Sequence, residues 1–233
     1  MTSRFAALRH RDYRLYWIGH VVSVSGQQMQ WMIEGWLIYQ LSGSALLLGV
    51  NGAVQAVPAT ALTLFGGALA DKFDQRRLLI VVQALFIVVL GCLAALGLIG
   101  ILKAWHVIVG GFALSAIGAF ESPARQAMFP HLVDRQSMPS AVALKAMIHP
   151  GTRVLAPVLG GLLSAFVFGA TDSASVAGGA IFGLAAFAVG VYVLALWQVR
   201  LPEVVRARGR SVAGDMADGV RYIWRGRIFS FLI

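Results

Sequence analysis

Charged residues are scarce in this chain, and acidic ones most of all. Asp and Glu number 10 among 233 residues against 19 Lys and Arg, and the four charged types together make up 12%. A soluble domain carries about twice that share, so a water-facing surface over most of the chain is excluded. Cysteine occurs once, as Cys92 within an apolar run. It excludes an intramolecular disulfide and reads as a small core residue. The five His residues are scattered without a second ligand at binding spacing, so no metal site is expected. Neither a nucleophile elbow nor a phosphate-binding loop occurs. Metalloenzyme, hydrolase and nucleotide-dependent classes fall away, and neither an enzyme activity nor a cofactor is expected.

What the chain has is apolar length. Hydrophobic residues make up 58% and gather in stretches of about 20 or more, enough to cross a bilayer core of about 30 Å. Glycine is abundant at 26 residues, as where helices approach closely in lipid. Six spans are predicted, at residues 15–40, 44–70, 78–101, 105–124, 141–168 and 175–198. The fold class is therefore an all-α membrane protein, with a six-transmembrane-helix bundle over residues 15–199. Residues 1–14 form a basic N-terminal segment; the apolar stretch behind it is too long for a signal peptide and lacks a cleavage site. Leu41, Ser42, Gly43 and Ser44 leave so short a linker that spans one and two form a tight hairpin. In residues 200–226, Val212, Met216, Val220 and Ile223 recur at helical spacing behind a capping Ser211, which predicts an amphipathic helix on the inner surface. Residues 227–233 open a further apolar run. The six residues from Ile228 to Ile233 rise about 9 Å, too little to cross a bilayer, so this is expected to be the start of a seventh span in a longer protein.

Sorting the bases gives an orientation. Lys103 falls on one side, Arg153 lies within a span, and the remaining Lys and Arg fall on the other side. Positive charge marks the cytoplasmic side, which puts the N-terminus and the segment after span six inside. The net charge of +9 is thereby accounted for by topology and anionic lipid, and no nucleic-acid partner is expected.

Between spans two and three runs Gly67-Ala-Leu-Ala-Asp71-Lys72-Phe-Asp-Gln-Arg76-Arg77. This charged turn resembles the loop between spans two and three of the major facilitator superfamily. Asp74 stands where that family usually has Gly, and Asp tolerates the left-handed conformation Gly would supply. In span five, Pro157, Gly160 and Gly161 are similar to the glycine-proline motif of the superfamily's antiporters, with Ala156 where a Gly is usual. The stretches Tyr13-Arg-Leu-Tyr-Trp17-Ile-Gly19, Gly35-Trp36-Leu-Ile-Tyr39, Phe120-Glu-Ser-Pro123-Ala124-Arg125 and Pro130-His-Leu-Val133 resemble the branch of the enterobactin exporter and related drug:proton antiporters. The resemblance implies the N-terminal half of a 12-helix fold, two six-helix bundles rocking about a central cavity. It implies proton-coupled efflux of a drug or siderophore-like small molecule, with the proton gradient as coupling force and a bacterial cytoplasmic membrane as location. The expected partners are that substrate, the lipid bilayer and the missing second six-span half. It further implies that Asp71 latches onto the other bundle, where a helix N-terminus favours a carboxylate. Gly67, Lys72, Arg76, Arg77, Glu121 and Arg125 complete the latch region. An importer of the same fold and a complete six-span oligomeric or scaffold protein are the alternatives; the seventh apolar run argues against the second.

The residues of the spans carry their own argument. Tyr16, His20, Ser23, Gln27, Gln30 and Glu34 follow at spacings of three and four, so all lie on one face of span one. Lipid cannot satisfy such a stripe, which must face protein or water. Either it walls a cavity or it is buried against neighbouring helices. Glu34, a carboxyl within a span, marks an ion or substrate pathway, and its alternative is an interfacial position near Tyr39. Arg153 is the base placed deepest in a span; it needs a partner or water, and Glu34, Gln27 or backbone carbonyls are candidates. Lys145, His149 and Arg153 share one face of span five. Asn51 and Gln55 share a face of span two, lining the same cavity or stitching span two to a neighbour. Pro157, Gly160 and Gly161 read as a hinge or as a site of close backbone approach.

The orientation is directly testable in the full-length protein. Cysteines placed at Ser3 and Ser44 in a Cys92→Ala background should differ in intact cells, with position 44 labelled by an impermeant thiol reagent and position 3 protected. Labelling of position 3 overturns the orientation.

Overall fold

Six long α-helices follow the six apolar runs: α1 (Arg11–Ser42), α2 (Ala45–Lys72), α3 (Gln75–Leu98), α4 (Ala104–Met128), α5 (Met138–Thr171) and α6 (Ala174–Gln198). The structure, a computed structural model, describes residues 6–72 and 74–199, without the side chains of 63–72. The segment 200–226, expected to be amphipathic, and the run 227–233 lie outside the described residues, as do the surroundings of Gly67 and the side chains of Asp71 and Lys72. Among the described residues, α2 to α6 each carry a stretch long and apolar enough to cross a membrane. The first helix, α1, is 32 residues long, but its polar stripe keeps it outside that group.

Turn chemistry sets the helix ends. Gly43, at φ 65°, closes α1, and its amide donates to the Tyr39 carbonyl. Asp172 closes α5 at φ 52° and is the non-glycine residue with positive φ among those described. Asp74 does not adopt the left-handed conformation expected of it: its φ is −61° and its ψ 113°. Its carboxylate instead accepts from the Arg77 amide at 2.9 Å, capping the first turn of α3. A side chain that can cap a helix replaces a residue valued for its backbone.

In the packing, α6 lies against both α1 and α3, while α2 lies along α4. Small residues permit this closeness. A Cβ on Gly97 of α3 would sit 2.4 Å from the Cα of Gly179 on α6, and one on Gly26 of α1 would sit 3.1 Å from the Ala185 Cα. Gly19 meets Ala195 and Tyr192 in the same way. The close backbone approach therefore occurs along α6, not at the expected Gly160 and Gly161. There, a Cβ on Gly160 would meet the Met29 side chain at 2.9 Å, and one on Gly161 only Met32 at 3.9 Å. α5 runs unbroken through Pro150 and Pro157. Cys92 is exposed on the outside of the bundle, not in the core expected for it. One apolar cluster, including Ile33, Leu37, Phe86, Leu90, Ile181 and Phe182, fills the half of the bundle nearer Glu34. A second, including Tyr13, Tyr16, Met128, Phe129, Tyr192 and Leu196, fills the other half.

The start of the chain is clasped to α5. The Tyr13 hydroxyl donates to the Ala141 carbonyl at 2.9 Å and Trp17 Nε1 to that of Leu144 at 3.1 Å. Beside them, His10 Nε2 lies 3.2 Å from Ser137 Oγ and 3.7 Å from Asp134. Hydrogen bonds from the Ser137 side chain and amide hold the Asp134 carboxyl below the usual carboxylate range.

The α3–α6 contact gives a stability prediction. Gly97→Val puts methyl groups where α6 backbone stands, and overpacking of this kind costs about 1–3 kcal/mol or more. Thermal unfolding of the full-length protein in detergent should fall clearly for Gly97→Val and not for Gly49→Val, whose site is open. Equal midpoints for the two variants would show that α3 and α6 do not depend on this contact.

Candidate functional site

The polar stripe of α1 is turned inward. Tyr16 and Ser23 are fully buried, and His20, Gln30 and Glu34 are each 2% exposed. Two polar clusters grow from it, 14 residues apart along α1, or about 21 Å at the helical rise.

The first cluster surrounds Glu34. Gln30 Nε2 donates to Glu34 Oε1 from one turn back, and Gln55 Nε2 donates to Oε2 at 3.1 Å from α2. Asn51, one turn before Gln55, is buried beside them with its Oδ1 lacking a partner. Gly111 of α4 makes room for this arrangement: a Cβ there would lie 2.7 Å from Gln55 Nε2 and 3.3 Å from Asn51 Oδ1. Ser115 Oγ fastens α4 to the Gln55 carbonyl at 2.6 Å. Asn51 and Gln55 thus stitch α2 to α1 and α4. Glu34 is covered by protein, and its hydrogen-bond partners are neutral amides.

The second cluster surrounds His20. Arg125 Nη1 of α4 lies 3.1 and 3.0 Å from the two His20 ring nitrogens and 3.1 Å from Glu121 Oε1, one turn earlier on α4. Gln83 Nε2 of α3 donates to the same Glu121 oxygen at 2.9 Å. The rings of Tyr16, Tyr192 and His149 stand 5.8, 5.6 and 6.2 Å from that of His20. Lys145 Nζ sits 4.5 Å over the Phe129 ring. Between the clusters, Ser23 Oγ and Gln27 Nε2 are buried without partners among the described residues.

The other expected site residues fall elsewhere. Arg153 is exposed on α5 and pairs with neither Glu34 nor Gln27; the face around it, with Val154, Leu155, Val158 and Leu159, is equally uncovered. Arg76 does not join Glu121 and Arg125. Its Nε and Nη2 hold the Leu196 and Trp197 carbonyls at 2.8 and 2.6 Å, at the C-terminus of α6 where a cation is favoured. Arg77 is exposed. Gln83, Gly111 and Tyr192 were not anticipated. Gln83 left a signal, as the lone polar residue in an apolar run from Leu78 to Val89; Gly111 left none, because its importance lies in the Gln55 side chain it admits.

Residues 2–230 match the model of a family described as transmembrane secretion effector, within the major facilitator superfamily. The chain belongs to that family. It is an integral, multi-pass membrane protein. Over 132 residues it is 30% identical to the Staphyloferrin A transporter of Staphylococcus aureus, covering 56% of this chain and 33% of that protein. Over 231 residues it is 26% identical to the Multidrug efflux pump Tap of Mycobacterium bovis, covering 91% of this chain and 51% of the relative. The Tap of Mycobacterium tuberculosis matches to the same extent. The chain thus spans about half or less of the length of these relatives. They are transporters, not enzymes.

The close fit at Gly111 yields a sharp variant. In Gly111→Ala the new methyl displaces the end of the Gln55 side chain, a flexible group that can move without unfolding the bundle. Thermal stability should change little, while any activity that depends on Glu34 should drop severalfold toward that of Gln55→Ala. A fully active Gly111→Ala protein would show that the Gln55–Glu34 contact has no functional weight.

Proposed function

We propose that the chain is the N-terminal six-span half of a transporter that exports a small molecule by alternating access, driven by protons. The family match and the transporter and efflux-pump names of its relatives support transport. The six long helices support six spans, with α1 as the span whose polar stripe is covered by protein and not by lipid. α2 and α5 are the least buried of the apolar helices, and their open faces suit them to meet a second bundle. The distribution of bases supports an internal N-terminus in a bacterial cytoplasmic membrane.

The observation that carries proton coupling is Glu34. It is a buried carboxyl whose hydrogen-bond partners are amides and not a base. Water entering or leaving its surroundings shifts such a group between its ionised and neutral forms. A bundle that opens alternately to each side would therefore load and unload a proton there. The drug or siderophore-like character of the substrate follows the names of the relatives alone.

Glu34→Gln keeps the shape and the hydrogen-bonding capacity but removes the titration. In proteoliposomes the full-length variant should lose extrusion driven by a pH gradient while retaining substrate binding and downhill exchange. Uphill transport at the wild-type rate would assign Glu34 a structural role and move the coupling group elsewhere.

A further inference from the structure

The cluster around His20 has an imbalance of charge that proton coupling at Glu34 does not use. Arg125, Lys145 and Arg153 carry three positive charges along one side of the bundle, with His20 and His149 between them. Among the described residues the one acid touching this group is Glu121, which is bonded to Arg125 and Gln83. A compact buried ion pair would balance itself; this group leaves cationic donors over. Arg125 engages its neighbours through Nη1, and Nη2 and Nε meet no partner among the described residues. The phenol oxygens of Tyr16 and Tyr192 beside His20 are buried and interact with each other, so the donors left over belong to Arg125.

The geometry also runs outward. His149 and Arg153 are exposed and Lys145 is half-buried. The three follow at i, i+4 and i+8 on α5, so they form a track about 12 Å long. His149 packs edge-on against His20 at 6.2 Å, which joins the track to Arg125 inside the bundle. The open end lies on the uncovered face of α5, and the closed end holds the free side of a guanidinium fork. Such forks bind carboxylates in pairs of parallel hydrogen bonds.

We propose that Arg125, Lys145, His149 and Arg153 form a binding track for an organic anion with two or more carboxylate-like groups. One group is held at the Arg125 fork, and another is held along Lys145, His149 and Arg153. The proposal rests on the transport reading above and names its substrate class. It separates the molecule into a proton site at Glu34 and an anion site at the opposite end of the α1 stripe.

The test uses the full-length protein and two xanthene dyes of similar size and opposite charge, carboxyfluorescein and rhodamine 123. Fluorescence anisotropy should show binding of carboxyfluorescein, displaced by phthalate and weakened by salt. Lys145→Gln with Arg153→Gln, at a half-buried and an exposed position, should weaken that binding about tenfold or more, as expected for lost charge-assisted contacts. Lys145→Arg with Arg153→Lys should restore it. Arg125→Gln serves as a further arm only where its thermal unfolding matches wild type. Carboxyfluorescein binding absent, or unchanged in the glutamine double variant, overturns the anion track. Proton-driven export of rhodamine 123 with no anion binding would sink this proposal while leaving transport intact. Anion binding that depends on the track, in a protein that exports rhodamine 123 and no carboxyfluorescein, would keep the site and sink its role as the substrate site.

Discussion

A polar group inside a bilayer must find its partner in protein or water, and the arrangement of this bundle follows from that constraint. The six residues of the α1 stripe cannot face lipid. They are covered instead by α2, α4, α5 and α6, and covering them requires backbones to come near. Gly19 and Gly26 on α1 and Ala185, Ala188 and Ala195 on α6 supply the closeness. Small residues on two helices and polar residues on the same helix are therefore two aspects of one solution. The first lets α6 in, and the second gives the gathered helices something to hold.

The two clusters on α1 are built from different chemistry. Around Glu34 the partners are amides from α1 and α2, flexible and uncharged. Around His20 they are charged and aromatic, drawn from α3, α4, α5 and α6. Removing one partner of the Arg125–Glu121 pair would strand a charge in an apolar setting, a heavier penalty than the loss of an amide. The first cluster can rearrange at low cost, while the second is held by its own neighbours.

Much of this was legible in the sequence because helical periodicity in lipid is a strong signal. The six apolar runs became six helices, and the spacing of Tyr16 to Glu34 correctly gathered one face. What the residues could not show was depth about the helix axis. Arg153 was expected inside because of its position along α5, yet it lies on the uncovered face; distance from a helix end says nothing of which way a side chain points. Gly160 and Gly161 were weighted because they sit in a recognisable motif, whereas Gly97 and Gly179 carry the tightest contact and belong to none. Asp74 was judged as a substitute for glycine and acts as a cap. In each case a pairing across helices decided the outcome, and a single strand of sequence holds no record of pairings.

Arg76 reaches from the first turn of α3 to two carbonyls in the last turn of α6. The charged turn before α3 and the exit of α6 are thereby fastened at one point, although 120 residues separate them along the chain. A displacement of the turn is transmitted to the end of α6 without passing through the core, and a pull on the chain beyond Val199 is felt at the turn. The fork of one guanidinium makes these two ends a single mechanical joint.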